Sequence, residues 1–370
     1  MTDVHFNKKK GSQLTLFTPG PVYVPERVLK ELAKPNDTHR SKPYSEMHQT
    51  VTEGLKKLLY TEKECLISTS SATGVMEACV RNLINDDEKA LFLSIGAFGD
   101  RWHDIGISNG KNAIKEGVEW GHAITGEFAK EVMDRDNYSV VFIQANETST
   151  GVYNPIDKVV PILKDYGALV CVDATSSMAG VKVEVDKLGI DVCLASVQKC
   201  FALPPGLAVC SVSDAAFEKA EKVKNRGFYF DFIDLKKRNA KHQTPTTPPI
   251  PQIRGLATQL DYILNEEGLE KRFKRHEQLG KRTREWVHEM NLKMFSEKGY
   301  ESNTVSTISN SLNLDIQKMI SMLLEKGYRI VNGYGNLVNK TFRIGHMGEI
   351  YLTNLDKMLK VLTEIINEIK

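Results

Sequence analysis

Ile190-Asp-Val-Cys-Leu-Ala-Ser-Val197-Gln-Lys-Cys-Phe-Ala-Leu203-Pro-Pro-Gly206 decides the fold. The run from Ile190 to Val197 is apolar and the length of a fully buried strand. It ends at Gln198-Lys199, and Pro204-Pro205-Gly206 prevents regular structure from continuing. A second such run, Ala168-Leu-Val-Cys-Val172, ends in Asp173-Ala174-Thr175. Glu64–Ser68, Ala90–Ser94, Val140–Gln144 and the stretch ending at Val212 read as further strands. Thr73–Leu83, Phe98–Ile107 and Ile156–Tyr166 carry apolar residues at helical spacing. Strands alternating with helices predict an α/β protein with a mostly parallel central sheet, covered on both faces. Ligands of such sheets collect beyond the carboxyl ends of the strands, where Asp173 and Lys199 both fall.

An acid at one strand end and a lysine after the next is the pair that a pyridoxal phosphate enzyme needs. The lysine forms the imine to the cofactor. The carboxylate keeps the pyridine nitrogen protonated, so that the ring draws electrons from the substrate carbon. Ser68-Thr-Ser-Ser-Ala-Thr-Gly74 joins a strand to a helix, and reads either as a capped turn or as a phosphate cradle of hydroxyls and free amides at a helix N-terminus. Burial beside Cys200-Phe201 would lower the Lys199 pKa from its usual value of about 10.4.

With 370 residues, 41% of them hydrophobic and 26% charged, the chain has the composition of a globular protein with a large core, expected as two packed domains. A net charge of +2, with both signs interspersed, gives no nucleic-acid footprint. No apolar stretch reaches the roughly 20 residues of a membrane span, and the N-terminus shows no apolar secretion segment, so the expected compartment is the cytoplasm. The six cysteines lack paired metal-ligand spacing, and no metal is expected. Cys171, Cys193 and Cys210 interrupt apolar runs as small hydrophobes. Cys200 adjoins the lysine and is read as packing. Gly255–Glu297 reads as one long helix crossing between domains. Beyond it, Thr304–Ile308 and Phe342–Ile344 read as strands, Asp315–Lys326 and Leu352–Ile369 as helices, with Thr353 and Asp356 as a capping pair for the last. The boundaries expected are 15–260 for a large cofactor-binding domain and 261–370 for a small α+β domain, with segment 1–30 packing on the small domain or on a partner subunit.

Thr18-Pro-Gly-Pro21, His39-Arg40-Ser41, Ser71-Ala72-Thr73, Phe98-Gly-Asp-Arg101, Asn146-Glu-Thr-Ser-Thr-Gly151, Asp173, Ser196-Val-Gln-Lys199, Gln243-Thr-Pro-Thr-Thr-Pro248 and Phe342-Arg-Ile-Gly-His-Met-Gly348 occur in that order. As a set they resemble the class V aminotransferases, most closely the alanine–glyoxylate and serine–pyruvate branch. The resemblance implies fold type I, pyridoxal 5'-phosphate, and a homodimer with its active site at the subunit interface. It implies Lys199 as imine lysine and proton shuttle, Asp173 against the pyridinium, Phe98 on one ring face and Thr175 on the other, and Thr148 on the phenolic oxygen. Ser71, Ala72, Thr73 and Gln198 would hold the phosphate, joined by Thr247 of a partner subunit with Thr244 nearby. Arg343 would clamp the substrate carboxylate by a two-pronged bond. Ser-Ala-Thr stands where many relatives have Ser-Gly-His, and no tyrosine precedes Thr244. His39 and Arg40 read either as a structural pair on an entry loop or as substrate contacts.

The activity expected is transfer of an amino group from a small amino acid, alanine or serine, to a 2-oxo acid such as glyoxylate or pyruvate. Phosphoserine:2-oxoglutarate transamination on the same scaffold is the nearest rival. Sulfur removal from cysteine is disfavoured, because no cysteine follows Cys210. A non-catalytic cofactor-binding assembly subunit is the rival of another class.

Overall fold

The computed structural model of the protein describes residues 14–370. Seven strands form the central sheet: β1 (Glu64–Ser68), β2 (Lys89–Ser94), β3 (Asn112–Gly117), β4 (Val140–Gln144), β5 (Leu169–Asp173), β6 (Val192–Ser196) and β7 (Ala208–Val212), in the spatial order β1-β7-β6-β5-β4-β2-β3. Neighbours run parallel except β7, which is antiparallel to both β1 and β6. The unbroken apolar runs serve two faces. Leu91, Leu93, Val141, Ile143, Val170 and Val172 join one core cluster, while Ala90, Phe92, Val140, Phe142 and Cys171 join the other. Side chains alternate across a strand, so a sheet covered on both sides has no polar register. Edge strand β3, Asn-Ala-Ile-Lys-Glu-Gly, is half exposed and polar, which is why its sequence did not announce it.

Helix α1 (Ala72–Leu83) follows β1 and α2 (Ala97–Ser108) follows β2, so both helix N-termini lie at the carboxyl end of the sheet. The expected single crossing helix is two helices. Ile250–Asp261 runs into a π-helical turn at Tyr262–Glu267, and Leu269–Glu289 begins after Gly268, whose φ of +80° is left-handed backbone that breaks the rod. A four-stranded antiparallel sheet follows: β8 (Lys293–Met294), β9 (Val305–Ser309), β10 (Val331–Asn332) and β11 (Thr341–Gly345), in the order β8-β9-β11-β10. Its core is a third cluster, built on Ile308, Met319, Phe342, Ile344 and Leu359. The closing helix Leu352–Ile369 is capped differently from expectation. Asn354 accepts from the Tyr351 N–H at 3.3 Å, while Asp356 pairs with Arg282 at 2.9 Å.

Of the expected N-terminal segment, residues 1–13 lie outside the described residues. Thr15–Leu16 pairs in parallel with Tyr328–Arg329, and Phe17 packs in the third cluster. The chain then turns back across Lys199. All six cysteines are buried and free. Cys200 donates to the Ser176 carbonyl at 3.6 Å, and burial pushes its thiol up to about 12, so it stays protonated.

Candidate active site

Asp173 closes β5, and Lys199 lies three residues beyond β6; the strands pair with Asp173 opposite Leu194. The Asp173 carboxyl is 4% exposed and accepts from the Thr175 N–H at 2.8 Å. Burial raises its pKa above the usual carboxylate range, against the opposing pull of Thr175 and Lys199. Burial, and then the nearby Arg343 guanidinium, lower Lys199 to about 8, with Asp173 working the other way. Its Nζ donates to the Pro19 carbonyl. The N-terminal turn is pressed onto the lysine stem, since a β-carbon at Gly20 would come 2.5 Å from Lys199 Cδ. That close approach gives Thr18-Pro-Gly-Pro21 a physical task at the lysine. A glycine between two prolines was the signal for it in the sequence.

The phosphate candidates sit at the N-terminus of α1. Ser71 is its N-cap in extended backbone, and its side chain makes no bond to the first-turn amides, which leaves those donors facing outward. Ala72 is buried and Thr73 half-buried. Gln198, half-buried beside Lys199, has a buried Oε1 with no partner, and so does the Thr175 hydroxyl. These unsatisfied groups fit a bound anion and a flat ring.

Phe98 lies in the first turn of α2. Glu147, fully buried, accepts on Oε2 from the Phe98 and Gly99 N–H groups at 3.1 Å each, and on Oε1 from Ser149 Oγ at 2.6 Å. A carboxylate facing two first-turn amides fixes that helix end, and with it the Phe98 ring. Nothing local in Asn146-Glu-Thr-Ser-Thr-Gly151 marks Glu147 for this role, which only the approach of the helix end defines. Thr148 Oγ1 donates to Ser176 Oγ at 2.8 Å, and its carbonyl accepts from Arg343 Nη1 at 3.3 Å.

Arg343, on β11, is 6% exposed; its Nε donates to the Asn332 carbonyl at 3.2 Å. Burial lowers its pKa to about 10, while Glu147 and Tyr334 oppose the shift. Among the described residues Arg343, Lys199 and Asp173 form no ion pair within 4.0 Å, although they stand close enough to shift one another. The remaining expected residues lie elsewhere. Thr244 is buried and donates to the Thr246 carbonyl at 2.8 Å, and Thr247 is exposed. Ser68, Thr69, Thr244 and Thr246 line one narrow crevice with Tyr229. Arg40 is engaged by the same loop, donating to Gln243 Oε1 and the Thr244 carbonyl at 2.9 Å each. His39 stands edge-on to Tyr44. Within the protomer neither joins Lys199 or Arg343.

A family model for aminotransferase class-V matches residues 16–338. An uncharacterized aminotransferase of Methanocaldococcus jannaschii is 40% identical over 90% of this chain and 87% of its own. A soluble hydrogenase 42 kDa subunit of Anabaena cylindrica is 35% identical over 91% and 88%. A serine–glyoxylate aminotransferase of Methylorubrum extorquens is 32% identical over 90% and 86%. Among solved structures, an alanine–glyoxylate aminotransferase of Nostoc sp. superposes with a TM-score of 0.92 at 24% identity, covering 98% of both chains. The chain belongs to the class V aminotransferases, and its architecture is fold type I.

Proposed function

We propose that the protein is a pyridoxal phosphate-dependent transaminase that moves the amino group of alanine or serine to glyoxylate or pyruvate. The observation that carries this reading is a trio of charges without ion-pair partners, half-buried Lys199 with buried Asp173 and Arg343. A buried guanidinium without a carboxylate partner is costly unless a ligand supplies the anion. A lysine lowered to about 8 is poised to lose its proton near neutral pH. The glyoxylate enzymes among the relatives support the acceptor.

In this reading Ser71, Ala72, Thr73 and Gln198 hold the cofactor phosphate. Asp173 would hold the ring nitrogen, Phe98 and Thr175 would hold the ring between them, and Thr148 would bind the phenolic oxygen. Bound there, the ring supplies a sink for the electrons left when the substrate Cα loses its proton. Arg343 fixes the substrate carboxylate and thereby the orientation of that C–H bond. Lys199 Nζ takes the proton and returns it, as a general base whose lowered pKa matches the task. The phosphoserine reading is less supported, because Arg40 is engaged by loop carbonyls. The kinship with a hydrogenase subunit keeps a non-catalytic role as the second reading; intact Lys199 and Arg343 favour catalysis over it.

The exposed side chains Phe228 and Tyr229, 86% and 44% exposed beside the crevice that reaches Thr244, support a homodimer in which Thr247 serves the partner's phosphate. The separate third cluster supports a division into domains 15–260 and 261–370. No helix among the described residues is long and apolar enough to cross a membrane; we place the protein in the cytoplasm. Adding alanine or serine to cofactor-loaded protein is expected to bleach its visible absorption, and glyoxylate or pyruvate to restore it. A band indifferent to every amino acid rejects catalysis and leaves the binding subunit.

A further inference from the structure

Tyr334 stands where the carboxylate clamp and the ring-stacking phenylalanine meet. Its ring lies parallel to Phe98, at 9° and 5.5 Å between centroids, and 5.4 Å from the Arg343 guanidinium carbon. Its hydroxyl accepts from Arg101 Nη2 at 2.7 Å. The turn that carries it is braced. Asn332 accepts from the Gly333 and Asn339 N–H groups at 2.7 and 2.8 Å, and a β-carbon at Gly333 would come 2.0 Å from the Leu337 carbonyl oxygen. With 36% of its surface exposed, the phenol is not core packing. It is a rigid plate at the mouth of the site.

An amino acid held by Arg343 through its carboxylate carries its side chain one carbon away, within reach of whatever flanks that guanidinium. On the Phe98 side the flank is the Tyr334 ring. We propose that Tyr334 is a specificity-determining residue: its ring closes the substrate side-chain space, so that one- or two-carbon side chains fit and branched or aromatic ones collide. Arg101 acts as a positioning residue that keeps the ring from swinging aside. The inference rests on the carboxylate-clamp reading of Arg343 given above.

The test uses the cofactor-loaded protein as wild type, Tyr334→Ala, Tyr334→Leu and Tyr334→Phe. In half-reactions the ratio of kcat/KM for leucine to that for alanine is expected to rise on the order of tenfold or more in Tyr334→Ala, as for other side-chain pockets opened by several carbons. It should rise less in Tyr334→Leu and least in Tyr334→Phe, which keeps the ring and loses only the bond from Arg101. Calorimetric titration with the unreactive acids acetate and isocaproate gives an activity-independent readout: their affinity ratio should shift the same way by a similar factor. A rise in either ratio well short of tenfold in Tyr334→Ala overturns the proposal. If wild-type protein turns over no amino acid, the transaminase reading falls, while the two-acid titration still decides the role of Tyr334.

Discussion

Two groups of buried charges stand near each other in this molecule, and they are built on opposite plans. Around Glu349 every charge is matched. Arg272, fully buried, donates to Glu349 at 3.0 Å, to Glu267 at 2.6 Å, and to the Ala179 and Cys200 carbonyls at 2.7 and 2.6 Å. Arg275 meets Glu267 at 2.6 Å, and Arg27 meets Glu349 at 3.0 Å. Around Lys199 the charges stand apart, and the Thr175 hydroxyl and the Gln198 amide oxygen are left without partners. A charge-matched network fixes backbone; charges left without ion-pair partners wait for a ligand. The two touch, because Arg272 holds the carbonyl of Cys200, next to the lysine.

If this contrast is right, removing a charge costs stability in the first group and function in the second. Arg272→Met leaves two buried carboxylates short of a partner and should cost about 3–5 kcal/mol of stability, read by denaturant unfolding. A loss under about 1 kcal/mol would show that the network is replaceable by packing.

Glu349 sharpens the same point through pH. Burial alone would raise its pKa, but Arg272, Arg27 and Arg275 together pull it down to about 2. A depressed carboxylate stabilises the fold above its unfolded pKa of about 4.3, and the stabilisation is lost as pH falls through the folded value. At roughly 1.4 kcal/mol per unit, that is on the order of 3 kcal/mol between pH 4.3 and 2. In Glu349→Gln this acid-side slope of Tm should flatten; an unchanged slope assigns acid sensitivity to other groups.

Arg343→Met is the counterpart in the second group. It removes a buried cation that has no carboxylate partner, so stability should stay within about 0.5 kcal/mol of wild type or rise. Losing two charge-assisted bonds to a carboxylate should raise KM for every amino acid and 2-oxo acid by about 10- to 100-fold. A destabilised variant with unchanged KM would place Arg343 in the structural group instead.

The sequence revealed these two groups unequally. Strands β1, β2 and β4–β7 were legible because both faces of the sheet are covered and the runs are purely apolar. The positions of Lys199 and Asp173 beyond strand ends were legible because each follows such a run. The paired network was invisible: Arg27, Gln259, Arg272 and Glu349 lie far apart in the chain, each within an ordinary polar pattern, and only tertiary packing gathers them. Glu147 and Tyr334 were hidden for a related reason, since a cap and a plate are defined by what they face. The break at Gly268 was hard to read because helical apolar spacing resumes directly after it, at Leu269 and Phe273.

The smallest expected effect links the charges of the open group to one another. Lys199 is lowered first by burial and next by the positive charge of Arg343. A nucleophilic amine must be neutral, so the rate at which cofactor-free protein captures pyridoxal phosphate should rise with pH and level off above about 8. Deleting the Arg343 charge removes a like-charge repulsion that disfavours the ammonium, so the Lys199 pKa must move up and the inflection toward higher pH. Burial, the larger cause, remains, which keeps the midpoint below the ordinary lysine value of about 10.4. Stopped-flow absorbance of cofactor capture from pH 6 to 10, with Arg343→Met beside wild type, measures both midpoints. A shared midpoint would mean that Arg343 and Lys199 do not sense each other, and the case for one ligand spanning them would lose its electrostatic basis.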